Sequence, residues 1–126
     1  MSKHRILVVE DDPTLRMLVQ RQVKGVSKFE TEAVASGEDA VARFCEDICM
    51  VFMDIGLPGI DGCQTAKLIR EKEAKIGEKR IPIIALTGHA DRNDCIDSGM
   101  TDVIIKPVLL ADIQQILEKH LGSCED

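Results

Sequence analysis

The sequence predicts an α/β fold, with five β-strand/α-helix units, (βα)5, folded into one doubly wound parallel five-stranded sheet of order 2-1-3-4-5. Three observations carry this expectation. Short apolar runs alternate with segments of helical periodicity all along the chain. The runs ICMVFMD and IPIIALTG are apolar almost throughout, as strands covered on both faces are. A run between them and the amino terminus, FETEAVA, alternates apolar and charged residues and so belongs at a sheet edge. A closed barrel needs about eight such units, so this sheet stays open.

The first strand is RILVVE. It leads into DDPTLRMLVQRQVKG, where Leu15, Leu18, Val19 and Val23 recur at helical spacing. Asp12 caps this helix, Pro13 fits its first position, and Gly25 is expected to end it. In FETEAVA, Phe29, Thr31 and Ala33 face away from Glu30 and Glu32. The segment SGEDAVARFCED opens on a Ser36 cap signal and sets Val41, Phe44 and Cys45 on one face. After the third strand, ICMVFMD, the loop IGLPGIDG leads into the helix CQTAKLIREKEAK. IPIIALTG is the fourth strand, DRNDCIDSG a short helix and TDVII the fifth strand. The helix LLADIQQILEKHL closes the chain with Leu110, Ile113, Ile116 and Leu117 inward. Right-handed crossovers connect the strands.

A length of 126 residues fits one domain, 1–126, with a core from about 5 to 121. The 44% hydrophobic content fills one core without disulfides or a structural metal. That core is aliphatic, because the chain has three Phe and no Trp or Tyr, which also argues against a base-stacking surface. A net charge of −6 and the lack of a Lys/Arg cluster exclude a nucleic-acid-binding face. The mixed segment REKEAKIGEKR reads as a solvated helix end and loop. Cysteines at 45, 49, 63, 95 and 124 form no C-x-x-C pair and suggest neither a disulfide framework nor a zinc site. Four of them lie in apolar surroundings and read as small hydrophobes. No apolar run is long enough to span a membrane, and MSKHRILVVE lacks a signal-peptide pattern, so a cytoplasmic chain is expected.

In an open α/β sheet, ligands bind outside the carboxyl ends of the strands, where strand order reverses. Strand 1 ends in Glu10 and Asp11, strand 3 in Asp54, strand 4 in Thr87 followed by Gly88, and strand 5 in Lys106 followed by Pro107. Each has an ordinary explanation taken alone, as Asp12 does in capping its helix. Convergence at four ends of one sheet does not.

These residues resemble those of response-regulator receiver domains, in order and along essentially the whole chain. VVED carries the acidic pair, MDIGLPGIDG the phosphoacceptor stretch, ALTG the switch hydroxyl and IIKP the lysine before proline. The resemblance implies a flavodoxin-like fold and transfer of a phosphoryl group from phosphohistidine to Asp54. It implies Mg²⁺ (or Mn²⁺) held by Glu10, Asp11, Asp54 and the backbone carbonyl of Gly56, with Glu10 acting mainly through water. Thr87, Gly88 and Lys106 would bind the phosphoryl oxygens, and the surface of helix 4, strand 5 and helix 5 would switch. His89 and Pro107 would modulate, with a cis bond before Pro107. The charge inventory agrees: three carboxylates face one ammonium, a surplus that one divalent cation neutralises.

Two departures from the family pattern stand out. Val103 stands where an aromatic usually swings inward with the threonine, and Gly56 and His89 occupy positions that flank the attacking water. The implied partner is a histidine kinase or histidine phosphotransfer domain, with no nucleic acid, no membrane contact by this domain, and a monomer or weak dimer. Phrases such as DIGLPGIDG and SGMTDVIIKP are most similar to receivers of hybrid sensor histidine kinases, so the chain is read either as a separate receiver or as the cytoplasmic part of a membrane sensor kinase. A receiver is not itself a turnover enzyme. The alternatives are a degenerate scaffold, an aspartyl-phosphate phosphatase and a flavin or nucleotide module. The last lacks a Gly-rich phosphate loop and any aromatic to stack on a flavin.

Overall fold

The computed structural model describes residues 5–77, 80–88 and 92–122. Its elements are β1 (Arg5–Val9), α1 (Pro13–Val26), β2 (Glu30–Val34), α2 (Gly37–Arg43), β3 (Ile48–Asp54), α3 (Gly62–Lys75), β4 (Ile83–Thr87), α4 (Arg92–Asp97), β5 (Asp102–Ile105) and α5 (Leu110–Leu121). The strands pair in parallel in the order β2-β1-β3-β4-β5, as the sequence predicts.

Alternate strand residues point to opposite faces, which splits the core in two. On one face Ile6, Val8, Met50, Phe52, Ile84, Leu86 and Ile104 pack with Val19 and Val23 of α1 and Ile113, Ile116 and Leu117 of α5. On the other, Leu7, Val9, Val51, Met53, Ile83 and Ala85 pack with Ala40, Ala66, Ile69 and Cys95 from α2, α3 and α4. Each fully buried large aliphatic or aromatic side chain contributes about 1.5–3 kcal/mol. Every residue of β3 is buried, so the central strand is fixed from both sides.

The helix starts follow the cap signals. Asp12 Oδ1 accepts the Thr14 N–H at 3.0 Å, and Ser36 Oγ accepts that of Asp39 at 3.1 Å. Asp61 and Gln64 form a reciprocal capping box that starts α3 at Gly62.

Some local expectations are corrected. Gly25 lies inside α1, which continues to Val26. Ser27 closes the helix instead: its hydroxyl donates to the Val23 carbonyl (2.8 Å) and accepts the Phe29 N–H (3.2 Å). The second helix stops at Arg43, and Phe44 fills the core from the extended residue beyond it while Cys45 is exposed. Leu18 and Leu110 are 42% and 50% exposed, although both sit on apolar-looking helix faces. A helix lying on a sheet covers only a stripe of its own surface. Val19 and Val23 occupy that stripe on α1, and Ile113, Ile116 and Leu117 occupy it on α5.

The segment REKEAKIGEKR is not simply solvated. The Arg70 guanidinium donates to both Glu73 oxygens (3.0 and 3.1 Å), to the Gly99 carbonyl (2.8 Å) and to Thr101 Oγ1 (3.3 Å). Glu73, 4% exposed, accepts the Ile81 N–H at 2.7 Å, and Thr101 Oγ1 accepts that of Ile83 at 3.0 Å. One buried ionic knot thus joins the end of α3, the entry to β4 and the turn between α4 and β5. Arg80 donates to the same Gly99 carbonyl at 3.3 Å.

Candidate functional site

Parallel pairing brings the acidic residues together. Val9 lies opposite Met53, so Glu10 and Asp54 are the next residues along adjacent strands. Glu10 and Asp54 are 1% and 5% exposed, whereas Asp11 faces solvent. One carboxylate oxygen from each of Glu10, Asp11 and Asp54 lies within 4.8 Å of the others.

Lys106 enters from the end of β5. Its backbone N–H donates to the Thr87 carbonyl at 2.7 Å, tying the ends of β4 and β5 together. Its ammonium reaches Asp54 Oδ1 at 3.0 Å and Glu10 Oε1 at 3.5 Å. The peptide between Lys106 and Pro107 is cis, as the resemblance implied. Thr87 is buried and Gly88 exposed. The Gly56 N–H donates to Asp54 Oδ1 at 3.3 Å, and the Ile55 N–H to the Leu86 carbonyl at 3.2 Å, so the β3–α3 loop is anchored at the site. His89 lies outside the described residues, as does Cys124.

The electrostatics favour a guest cation. Glu10 Oε2 accepts the Asp12 N–H at 3.2 Å, but among the described residues buried Oε1 has no hydrogen-bond partner, only the Lys106 ammonium at 3.5 Å. Burial above all, and then the charge of Asp54, raises the Glu10 pKa to about 7, against the lowering effects of the Asp12 N–H and Lys106. For Lys106, burial acts downward, but Asp54 and then Glu10 outweigh it and hold the ammonium above its ordinary value. A half-satisfied, buried carboxylate beside two others is a donor set for a hard, oxygen-preferring divalent ion.

This raised value gives stability a testable sign. Glu10 binds its proton more tightly when folded than when unfolded, so its stabilising contribution is complete below about 4.5 and is lost as pH rises through about 7. Without divalent ions, the melting temperature should fall by roughly 5 °C between pH 5 and pH 8 on account of Glu10. Glu10→Gln should flatten that slope, and added Mg²⁺ should restore wild-type stability most at the alkaline end. Calorimetry at fixed ionic strength would read this, and an equal slope in the variant would contradict it.

Two further residues shape the site without carrying its chemistry. A Cβ at Gly62 would lie 2.4 Å from the Asp54 carbonyl oxygen and 2.8 Å from the Ile55 Cα. The Gly62 N–H also donates to the Ile55 carbonyl at 3.0 Å. The start of α3 therefore rests directly on the backbone of Asp54. The one sequence signal is a glycine immediately after a helix-capping aspartate. Arg16, one turn into α1, donates through Nη1 to the Glu10 carbonyl at 2.9 Å. In the sequence it is one more charged residue on an amphipathic helix, and nothing sets it apart.

Comparison with known proteins places these features in context. A family model described as the response regulator receiver domain matches residues 6–118. The sensor protein GacS of Pseudomonas syringae pv. syringae is 37% identical over 122 residues, covering 94% of this chain and 13% of that protein. Across other curated relatives the chain likewise spans only 6 to 21% of their length. Among solved structures, the receiver domain of a Pseudomonas aeruginosa sensor histidine kinase, with magnesium coordinated in its active-site cleft, aligns with a TM-score of 0.80 at 33% identity, covering 94% of this chain and 98% of that one. The receiver domain of the Saccharomyces cerevisiae response regulator Ssk1, co-crystallised with the histidine phosphotransfer protein Ypd1, aligns with a TM-score of 0.88 at 25% identity, covering 98% and 92%.

Proposed function

Because this chain belongs to the response regulator receiver domain family, we propose that Asp54 is its phosphoacceptor and that a phosphohistidine of a kinase or histidine phosphotransfer protein is the donor. The observation that carries this reading is the buried Asp54 carboxylate, held by Lys106 at 3.0 Å beside two further acids whose oxygens lie within 4.8 Å.

In the transfer, an Asp54 oxygen bonds to phosphorus as the phosphorus–nitrogen bond breaks, and the electron pair of that bond stays on the donor imidazole. The protein supplies position and charge rather than covalent chemistry. Glu10, Asp11, Asp54 and the carbonyl of Gly56 would hold Mg²⁺ (or Mn²⁺). When bound, the ion neutralises the acids and the phosphoryl oxygens together. Lys106, already paired with Asp54, stays with one phosphoryl oxygen, while the Thr87 hydroxyl and the Gly88 N–H serve the others. Phosphorylation adds about one negative charge and several acceptor oxygens at the ends of β3, β4 and β5, enough to reorder that surface. Val103 provides no aromatic ring to follow Thr87, so the message passes through the β4–α4 loop and α4. His89 and Pro107 modulate the lifetime of the phosphoryl group.

The donor's approach is read from α1. Met17 and Leu18, 52% and 42% exposed, form an apolar patch with Pro13 and Thr14 beside the acidic cluster. The relative in co-crystal with a histidine phosphotransfer protein supports a protein of that kind as the docking partner. Leu18→Asp should slow transfer from such a protein about tenfold while leaving uptake from acetyl phosphate unchanged. Equal slowing with both donors would remove this docking face.

Incubation with acetyl phosphate and Mg²⁺, followed by intact mass, tests the reading: one added phosphoryl group is expected, and none after chelation. Multiple turnover of small phosphate esters would favour a phosphatase, and absence of any uptake a scaffold. Among the described residues, no helix is long and apolar enough to cross a membrane. We place the domain in the cytoplasm, as part of a hybrid sensor kinase or a separate receiver, in a monomer or weak dimer.

A further inference from the structure

We propose that Arg16 is a positioning residue for the cation site: it locks the peptide plane between Glu10 and Asp11 and thereby aims both carboxylates. This rests on the reading of Glu10 and Asp11 as cation ligands. The strand β1 ends at Val9, and the Glu10 N–H still donates to the Val34 carbonyl of β2 at 3.1 Å. Past that bond the Arg16 guanidinium donates to the Glu10 carbonyl at 2.9 Å and so holds the next peptide. A peptide group is planar, so fixing that carbonyl also fixes the N–H and Cα of Asp11.

The source of the restraint is itself rigid. Arg16 is held in the first turn of α1, its N–H donating to the Asp12 carbonyl at 2.9 Å. Asp12 in turn caps the helix and gives its own N–H to Glu10 Oε2 at 3.2 Å. The result is a closed circuit, Glu10 to Asp12 to Arg16 and back to Glu10, of which only the arginine bond acts on the Glu10–Asp11 peptide. Such groups behind ligating side chains are worth about 10- to 100-fold in metal affinity.

Charge alone makes the opposite prediction, which allows a clean test. Arg16 is a positive charge beside a cluster of acids, so removing it should tighten cation binding if it acts only through its field. If it positions the acids, removal should weaken binding. Mn²⁺ affinity would be measured by electron paramagnetic resonance on the wild type, Arg16→Met, Arg16→Lys and Lys24→Met. Lys24→Met makes the same charge change in the last turn of the same helix. We expect about tenfold weaker Mn²⁺ binding in Arg16→Met, an intermediate loss in Arg16→Lys, and no weakening in Lys24→Met. Equal or tighter binding in Arg16→Met, or full affinity in Arg16→Lys alongside a tighter Lys24→Met, overturns the role. If Arg16→Met does not fold by its thermal transition, Arg16→Lys decides alone: unchanged affinity rejects the inference and weaker affinity supports it. Failure of the wild type to bind Mn²⁺ overturns the cation-site reading itself, and is distinguished by the wild-type arm.

Discussion

Asp54→Asn is expected to leave the chain folded and wholly unable to accept a phosphoryl group from acetyl phosphate. The amide keeps the size of the carboxylate and can still accept from the Gly56 N–H and the Lys106 ammonium, the two partners of Asp54 Oδ1. What it lacks is the anionic oxygen that attacks phosphorus, so the loss falls on chemistry rather than on packing. Stability should rise slightly, because one member of a mutually repelling acid cluster is gone. Intact mass after acetyl phosphate and Mg²⁺ would show an unmodified variant beside a wild type carrying one phosphoryl group. Undiminished labelling of the variant would move the acceptor to another residue.

Gly62→Ala is expected to cost roughly 3 kcal/mol and to impair the site as well as the fold. The added methyl would meet backbone, 2.4 Å from the Asp54 carbonyl oxygen, where no side chain can rotate away. Either α3 shifts outward, opening the layer that Ala66 and Ile69 fill, or the end of β3 moves and takes Asp54 with it. The melting temperature should fall by about 10 °C, and phosphoryl uptake should slow even in the folded protein. Gly25→Ala provides the contrast. Nothing lies within 4 Å of its Cβ position, which is inside α1, so alanine should stabilise there by about 0.5–1 kcal/mol. A Gly62→Ala variant as stable and as reactive as the wild type would contradict this reading.

The fold was legible because its signal is redundant. The central strands are apolar enough to need cover on both faces, the edge run FETEAVA alternates, and five strand–helix alternations leave one common topology. The acids and Lys106 were legible for a related reason: a parallel sheet delivers the residue after each strand to the same edge, whatever the loops do. What escaped depends on tertiary geometry. Leu18 and Leu110 obey helical periodicity yet face solvent, because periodicity states which residues share a face and not how much of that face the sheet covers. Glu73 is acidic, lies in a charged run and is still 4% exposed, because its partners Arg70 and the Ile81 N–H come together only when α3 meets β4. Gly62 and Arg16 act through backbone atoms of other elements, which no spacing within one helix records.

The ionic knot at Gly99 has a mechanical consequence. Two arginines donate to one carbonyl at the turn after α4, Gly99 there has a φ of 99° that favours glycine, and Met100 beside it is 1% exposed. The far end of α4 is therefore pinned to α3 and to the core. At the near end of the segment, a Cβ on Gly88 would meet no described atom within 4 Å. A pull on Thr87, in the switch role proposed for it, would meet a fulcrum fixed at Gly99, so α4 is expected to swing about that point rather than slide along the sheet. The buried charges that hold that fulcrum lie at the opposite end of the sheet from Asp54.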